Sequence, residues 1–124
     1  RYVMGLGDIE GMLDLIELGI DIFDCVWPAR LARHGKIINK GNFFNLKNSQ
    51  FKNITEPLVV DCECYVCNNF SKAYLRHLLI NESTSSWFYL TLHNIYQTEN
   101  ILSEVRKSIL NSEFENYKES ILNG

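Results

Sequence analysis

The period of apolar positions changes several times along the chain, and each change predicts an element. Tyr2-Val3-Met4 reads as a short strand running into the turn Gly5-Leu6-Gly7. Two glycines there permit close backbone approach to a ligand, although a Gly-x-Gly is more often only a turn. Asp8 is placed to cap a helix in which Ile9, Met12, Leu13 and Ile16 recur at core-facing spacing, with Gly19 closing it. Ile20 to Val26 is a second apolar run, read as a buried strand that ends near Trp27 because Pro28 cannot continue a central strand. Strand, helix and strand in so short a span call for a parallel sheet. Alternation sets Ile20, Ile22 and Asp24 on one face, and Asp21, Phe23 and Cys25 on the other. Asp24 therefore stands at the carboxyl end of a strand, before a loop carrying Arg30 and Arg33. Catalytic residues gather at that position in parallel α/β sheets and barrels. A strand-end carboxylate bonded to a neighbouring loop is the plainer alternative.

Further on, Ile37-Ile38 and Phe43-Phe44 flank Asn39-Lys40-Gly41-Asn42, the pattern of a hairpin. Its aromatics and Phe51 lie among basic residues, where core packing competes with stacking on bases. Glu56 to Asp61 reads as a short extended lead into Cys62-Glu-Cys-Tyr-Val-Cys67. Ser71 to Ile80 reads as a helix with Tyr74, Leu75, Leu78 and Leu79 as its apolar stripe. After the polar break Asn81 to Ser86, a longer helix is expected from Trp87 to about Leu110, bearing Leu90, His93, Ile95, Ile101, Val105 and Leu110. A last turn or two runs from Phe114 to Leu122. These changes divide the chain into residues 1–35 (the βαβ part and its Arg loop), 36–60 (a basic hairpin and extended segment) and 61–124 (the cysteine cluster and helical tail).

Charge sharpens the picture. The net charge is −3, yet all fifteen acidic residues lie outside Cys25–Thr55, a segment holding six of the twelve Lys and Arg: Arg30, Arg33, Lys36, Lys40, Lys47 and Lys52. A basic stripe on an otherwise acidic chain is the footprint of a phosphate-bearing partner, unless it is only a solvated loop. The 124 residues amount to one domain at most. There is no apolar run of membrane-spanning length and no leader, so neither membrane nor export is expected, and the location is expected to be cytoplasmic. The chain opens at Arg1, inside an expected strand and without an initiator Met, which leads us to expect a fragment of a longer protein.

Three closely spaced thiols and a nearby imidazole make a closed Cys₃His set, the composition of a structural zinc site with no open position for water. Disulfides are not expected, since three close Cys cannot all pair internally and nothing indicates secretion. His77 and His93 both follow on expected helices, and either could complete the set. Cys25 stands apart and reads as a small buried hydrophobe. Zinc here would staple the helical tail to the loop before it.

Taken together, these motifs resemble the C-terminal part of the bacterial-type tRNA-guanine transglycosylases (queuine tRNA-ribosyltransferases). The carriers are Arg1-Tyr-Val-Met-Gly-Leu-Gly7, Gly19-Ile-Asp-Ile-Phe-Asp-Cys-Val26, Pro28-Ala-Arg30 with Arg33-His-Gly35, Leu46-Lys-Asn48, and Cys62-x-Cys64-x-x-Cys67 with Leu92-His93-Asn94. Their order and spacing cover essentially the whole chain. The resemblance implies an α/β fold: the C-terminal segment of a (β/α)₈ TIM barrel with an inserted zinc-binding subdomain and C-terminal helices. A whole barrel needs about 250 residues, so this chain would be its closing segment.

The resemblance also implies exchange of the wobble guanine of tRNA for a queuine-type deazaguanine in queuosine modification. Asp24 matches the nucleophile that attacks the ribose anomeric carbon and forms a covalent ribosyl-enzyme. Met4 and Gly5 match positions lining the base pocket. Gly5, Leu6, Gly7, Asp8, Ile9, Glu10 and Gly11, with Ala29, Arg30, Leu31, Ala32 and Arg33, match segments contacting RNA around the wobble base. The family's structural Zn²⁺ ligands map onto Cys62, Cys64, Cys67 and His93, favouring His93 over His77. The implied partners are the tRNA anticodon loop, a guanine or deazaguanine base and a second copy of the chain.

Two departures stand out: Ala29 where the family usually has Thr, and Trp27 where it usually has a smaller apolar residue. The family's base-recognising acids and its general acid/base lie on earlier strands, so this segment alone is expected not to turn over. The competing reading is a non-catalytic, zinc-stabilised RNA-binding module or partner subunit.

Overall fold

In the computed structural model, which describes residues 1–123, β1 (Tyr2–Met4) and β2 (Ile22–Asp24) pair in parallel across α1 (Ile9–Glu17). Asp8 caps α1 by accepting the Gly11 N–H. Gly19 ends it at φ 97°, a left-handed conformation open to glycine, with its N–H on the Ile16 carbonyl. The strand expected over Ile20–Val26 is shorter and barer than its composition implies. β2 spans three residues, and Ile22 is 59% exposed while Phe23 turns to the core. Two strands cover only one of their faces, so Tyr2, Met4 and Ile22 share an open apolar surface.

The loop expected to carry Arg30 and Arg33 is instead helix α2 (Trp27–Arg33). Pro28 lies in its first turn, where a missing N–H costs nothing. β3 (Lys36–Asn39) and β4 (Asn42–Asn45) form the expected hairpin, with Ile37 opposite Phe44 and Ile38 opposite Phe43. The hairpin splits the core in two. Ile37 and Phe44 join Ala32, Leu46, Leu58, Val66, Leu75 and Leu90, whereas Ile38 joins Ile9, Met12, Leu13, Leu31, Ile101 and Ile121.

Glu56 to Asp61 makes turns instead of an extended lead, because Leu58 and Val59 must both reach the core. A short helix, α3 (Tyr65–Asn69), arises inside the cysteine cluster, capped by the Cys64 sulfur. α4 (Lys72–Ile80) follows its Ser71 cap, and it buries Leu75 and Leu79 but leaves Tyr74 exposed. α5 (Thr84–Leu110) starts earlier than expected, since Ser83 caps it. It is the spine of the molecule, packing on α2, β3, α3, α4 and α6. Its buried face is more polar than the apolar stripe predicts. Ile95 and Leu110 are exposed, while His93, Asn94 and Gln97 turn inward to serve β3 and the turn that follows it. α6 (Phe114–Asn123) folds back so that Lys118 reaches Asp14 and Glu17 of α1. A Cβ at Gly41 would overlap the Ile121 carbonyl, so the hairpin tip accepts α6 only as glycine. Mixed helix and strand make the fold α/β, and no described helix is long and apolar enough to cross a membrane.

Candidate active site and metal centre

The parallel register sets Met4 beside Asp24 at the carboxyl ends of both strands. Gly5, at φ 78°, donates its N–H to the Asp24 carbonyl at 2.6 Å and turns the chain across the strand end. Gly7 lies flat on Cys25, where any Cβ would overlap the thiol sulfur. The result is a cavity of about 330 Å³ walled by Met4, Gly5, Asp8, Asp24, Trp27 and Arg30, among others. The Asp24 carboxylate is solvent-accessible, and its Oδ2 accepts the Tyr2 hydroxyl at 2.8 Å. That bond, with burial and the nearby charge, raises the Tyr2 phenol above its ordinary range, so Tyr2 remains a donor at neutral pH. Asp8 also faces the cavity, but its Oδ2 is committed to the Gly11 N–H.

The two segments expected to meet RNA divide by burial. Gly5, Glu10, Arg30 and Arg33 are exposed; Leu6, Asp8, Gly11 and Ala29 are half-buried; Gly7, Ile9, Leu31 and Ala32 are buried. Helical spacing on α2 explains the pattern, because Leu31 and Ala32 face the core while Arg30 and Arg33 face out.

The fold brings Cys62, Cys64, Cys67 and His93 together, with all four ligand atoms within 4.8 Å of one another and all four residues buried. His93 Nδ1 lies 3.8, 3.4 and 3.4 Å from the sulfurs of Cys62, Cys64 and Cys67. Its other nitrogen, Nε2, donates to the Ile38 carbonyl at 3.0 Å, so the imidazole, once it gives up its Nδ1 proton, presents that nitrogen's electron pair to the sulfurs. The Cys67 N–H donates to the Cys64 sulfur at 3.3 Å. Hydrogen bonds from Cys64 and Cys67 pull the Cys62 thiol below its ordinary range, and Cys62 and Cys64 push Cys67 up. Burial opposes charging of His93, but bonds to Cys62, Cys64 and the Ile38 carbonyl outweigh it and raise the imidazole to about 9. The cluster thus holds protons that a cation would displace. His77 is exposed and bonded to Asn81, away from the cluster. Cys25 is half-buried at the cavity instead of in the core expected for it.

Asn94, next to His93, ties α2 to β3. Its side chain donates to the carbonyls of Pro28 at 3.1 Å and Lys36 at 3.0 Å, and accepts the Ile38 N–H at 2.9 Å. One fully buried amide thereby fixes the start of α2 against β3, whose Ile38 carbonyl also holds His93. We expect Asn94→Ala to cost about 2–4 kcal/mol, since three backbone groups lose this partner at once. Thermal unfolding at matched metal content checks this. Periodicity marks neither Asn94 nor Tyr2 as a site residue. The usable signal was Asn94 following a candidate ligand on a core-facing helix.

Comparison with known proteins places these features in context. The family model described as Queuine tRNA-ribosyltransferase matches residues 1–124. A queuine tRNA-ribosyltransferase of Synechococcus elongatus is 46% identical over 114 residues, 92% of this chain and 30% of the relative. Those of Dictyoglomus turgidum and Aquifex aeolicus are 43% and 42% identical over 122 residues, 98% of this chain and 31% and 32% of the relatives. The chain therefore spans 30–32% of the length of these curated relatives.

Proposed function

We propose, for a chain that belongs to the queuine tRNA-ribosyltransferase family, that residues 1–124 form the nucleophile-bearing, closing segment of a (β/α)₈ barrel. The reaction we assign to that barrel is exchange of the wobble guanine of tRNA for a queuine-type deazaguanine. The observation that carries this reading is Asp24, accessible at the strand end, oriented by Tyr2 and opening on a cavity beside Arg30. In the step we assign to it, a carboxylate oxygen forms a bond to the ribose anomeric carbon. The bond to guanine breaks, and its electron pair leaves with the base. The incoming base then attacks the same carbon and releases the carboxylate. The open face of Tyr2, Met4 and Ile22 supports the barrel, because a parallel sheet is ordinarily covered on both sides. Partners in this reading are the tRNA anticodon loop, the exchanged base and, from family membership alone, a second copy of the chain, in the cytoplasm.

Zinc is our choice for the cysteine cluster. Tetrahedral bonds of about 2.3 Å to sulfur and about 2.0–2.1 Å to nitrogen imply S···N separations of about 3.6 Å, and the observed 3.4–3.8 Å bracket that value. Four protein ligands leave no position for water, so the ion would hold the fold and take no part in the chemistry.

The test grafts residues 1–124 onto the upstream portion of the Synechococcus elongatus relative and measures labelled guanine incorporation into tRNA. A folded, zinc-containing graft that fails to exchange overturns the enzymatic reading. In the same graft, Tyr2→Phe leaves Asp24 without its orienting donor. It is expected to lower kcat on the order of ten- to a hundredfold with little change in KM for tRNA. An unchanged kcat would remove Tyr2 from the machinery.

A second reading, a zinc-stabilised RNA-binding module or partner subunit, is favoured by one feature. Among the described residues, the cavity holds no carboxylate besides Asp24 and the committed Asp8 to act as acid or base. Tight tRNA binding by a graft that neither exchanges nor forms a covalent adduct would establish it.

A further inference from the structure

The three aromatics of the basic segment are not equivalent. Phe44 and Phe51 lie 5.1 Å apart and pack against the core, with the Lys72 ammonium over both rings. Phe43 is 50% exposed. Its ring meets Trp27 edge to face at 6.4 Å and an interplanar angle of 81°, and the Lys36 ammonium lies over one face of it, 5.5 Å from its centre. Trp27 also lines the Asp24 cavity with Arg30. A continuous strip thus runs from the cavity across Trp27 to Phe43, edged by Arg30 and Lys36, within a stretch of sequence that contains no acidic residue.

Interior packing does not account for this arrangement. Phe43 stands opposite Ile38, which is fully buried, yet the Phe43 ring stays half exposed against Trp27 and joins neither core cluster. An apolar edge strand ordinarily hides such a ring or replaces it with a charge. An exposed ring held by an aromatic neighbour and flanked by cations is the arrangement that binds single-stranded nucleic acid. There, bases stack on aromatic faces and phosphates meet the cations.

We propose that Phe43, buttressed by Trp27 and with Lys36 as its phosphate contact, is a stacking platform for an unpaired RNA base neighbouring the nucleotide held at Asp24. The proposal rests on the RNA-modifying reading above and adds to it a hairpin residue outside both segments expected to touch RNA.

The test uses the zinc-loaded graft described above and a fluorescein-labelled anticodon stem-loop RNA with guanosine at the wobble position. Anisotropy is read across a salt series. Phe43→Leu keeps an apolar side chain against Trp27 but removes the π face, and it should weaken binding roughly tenfold with an unchanged salt slope. Phe43→Tyr should restore affinity. Lys36→Ala should instead flatten the salt slope by about one. Phe43→Leu binding as tightly as wild type, at equal zinc content and melting temperature, overturns the platform while leaving the RNA reading intact. A folded graft carrying the wild-type segment that fails to bind the stem-loop overturns the RNA reading itself, and the platform with it.

Discussion

Asp24→Ala, in the grafted enzyme, is expected to abolish guanine exchange, with a loss of roughly 10⁴- to 10⁶-fold in rate, the scale seen when a covalent nucleophile is deleted. The expectation rests on the lack of a substitute. Asp8, the other carboxylate at the cavity, is bonded to the Gly11 N–H at the start of α1 and spaced from the strand end by the Gly5–Gly7 turn. Asp24→Asn is the sharper variant. It preserves size and an oxygen for the Tyr2 hydroxyl, but an amide oxygen cannot form and release the ribosyl ester. Both variants should still bind tRNA, because the basic surface of Arg30 and Arg33 is untouched. Exchange is read from labelled guanine, and the covalent species from a protein–RNA band under denaturing conditions. A band persisting in Asp24→Asn would assign the nucleophile elsewhere.

The second large effect lies at the metal centre. Cys64→Ser is expected to lose the ion and, with it, the cooperative fold. Cys64 does two things at once: it faces His93 Nδ1 at 3.4 Å, and it caps α3 by accepting the Cys67 N–H. A structural zinc ion contributes about 10–16 kcal/mol of apparent binding free energy, against a total stability of about 5–15 kcal/mol for an ordinary domain. The variant should therefore show near-zero zinc by atomic absorption and no sharp thermal transition, and chelation of the wild type should do the same. Cys25→Ser, outside the cluster, should keep both zinc and transition. A Cys64→Ser chain that melts cooperatively without metal would show that the apolar core alone holds α3, α4 and α5 together.

These two expectations differ in how much of their basis was legible in the sequence. The Cys-x-Cys-x-x-Cys spacing announces a metal set by itself, because thiols so close in sequence cannot lie far apart in space. The histidine was not legible from spacing, since His77 and His93 both lie on apolar helices. What separates them is burial: His93 points between β3 and α3, while His77 faces solvent. The elements were also largely legible, because caps and periods are local. Asp8, Ser71 and the Lys40-Gly41 turn each act within a few residues of where they stand.

Where the sequence reading missed, a distant partner had intervened. Ile20–Val26 has a buried composition, yet β2 is bare on one side because only β1 and the flanking helices cover it. Ile95 and Leu110 have core composition, yet α5 is rotated to present His93, Asn94 and Gln97 to the hairpin. Unsatisfied backbone groups of β3 and its turn decide that rotation, since leaving them unpaired costs more than exposing two aliphatic side chains.

The sequence by itself thus determined the local units: a capped βαβ start with a carboxylate at its strand end, a basic hairpin, a three-thiol cluster and the helices after it. Tertiary structure alone decided which hydroxyl orients Asp24, which of the hairpin's aromatics stays in water, and that Asn94 ties the start of α2 to β3; it also set His93, the histidine the family motifs favoured, against the thiols. Caps, turns and periods act between near neighbours and can be read in one dimension. The orientation of a side chain toward a partner 22 or 56 residues away depends on how whole elements pack, and that is fixed only when all of them compete for the same core.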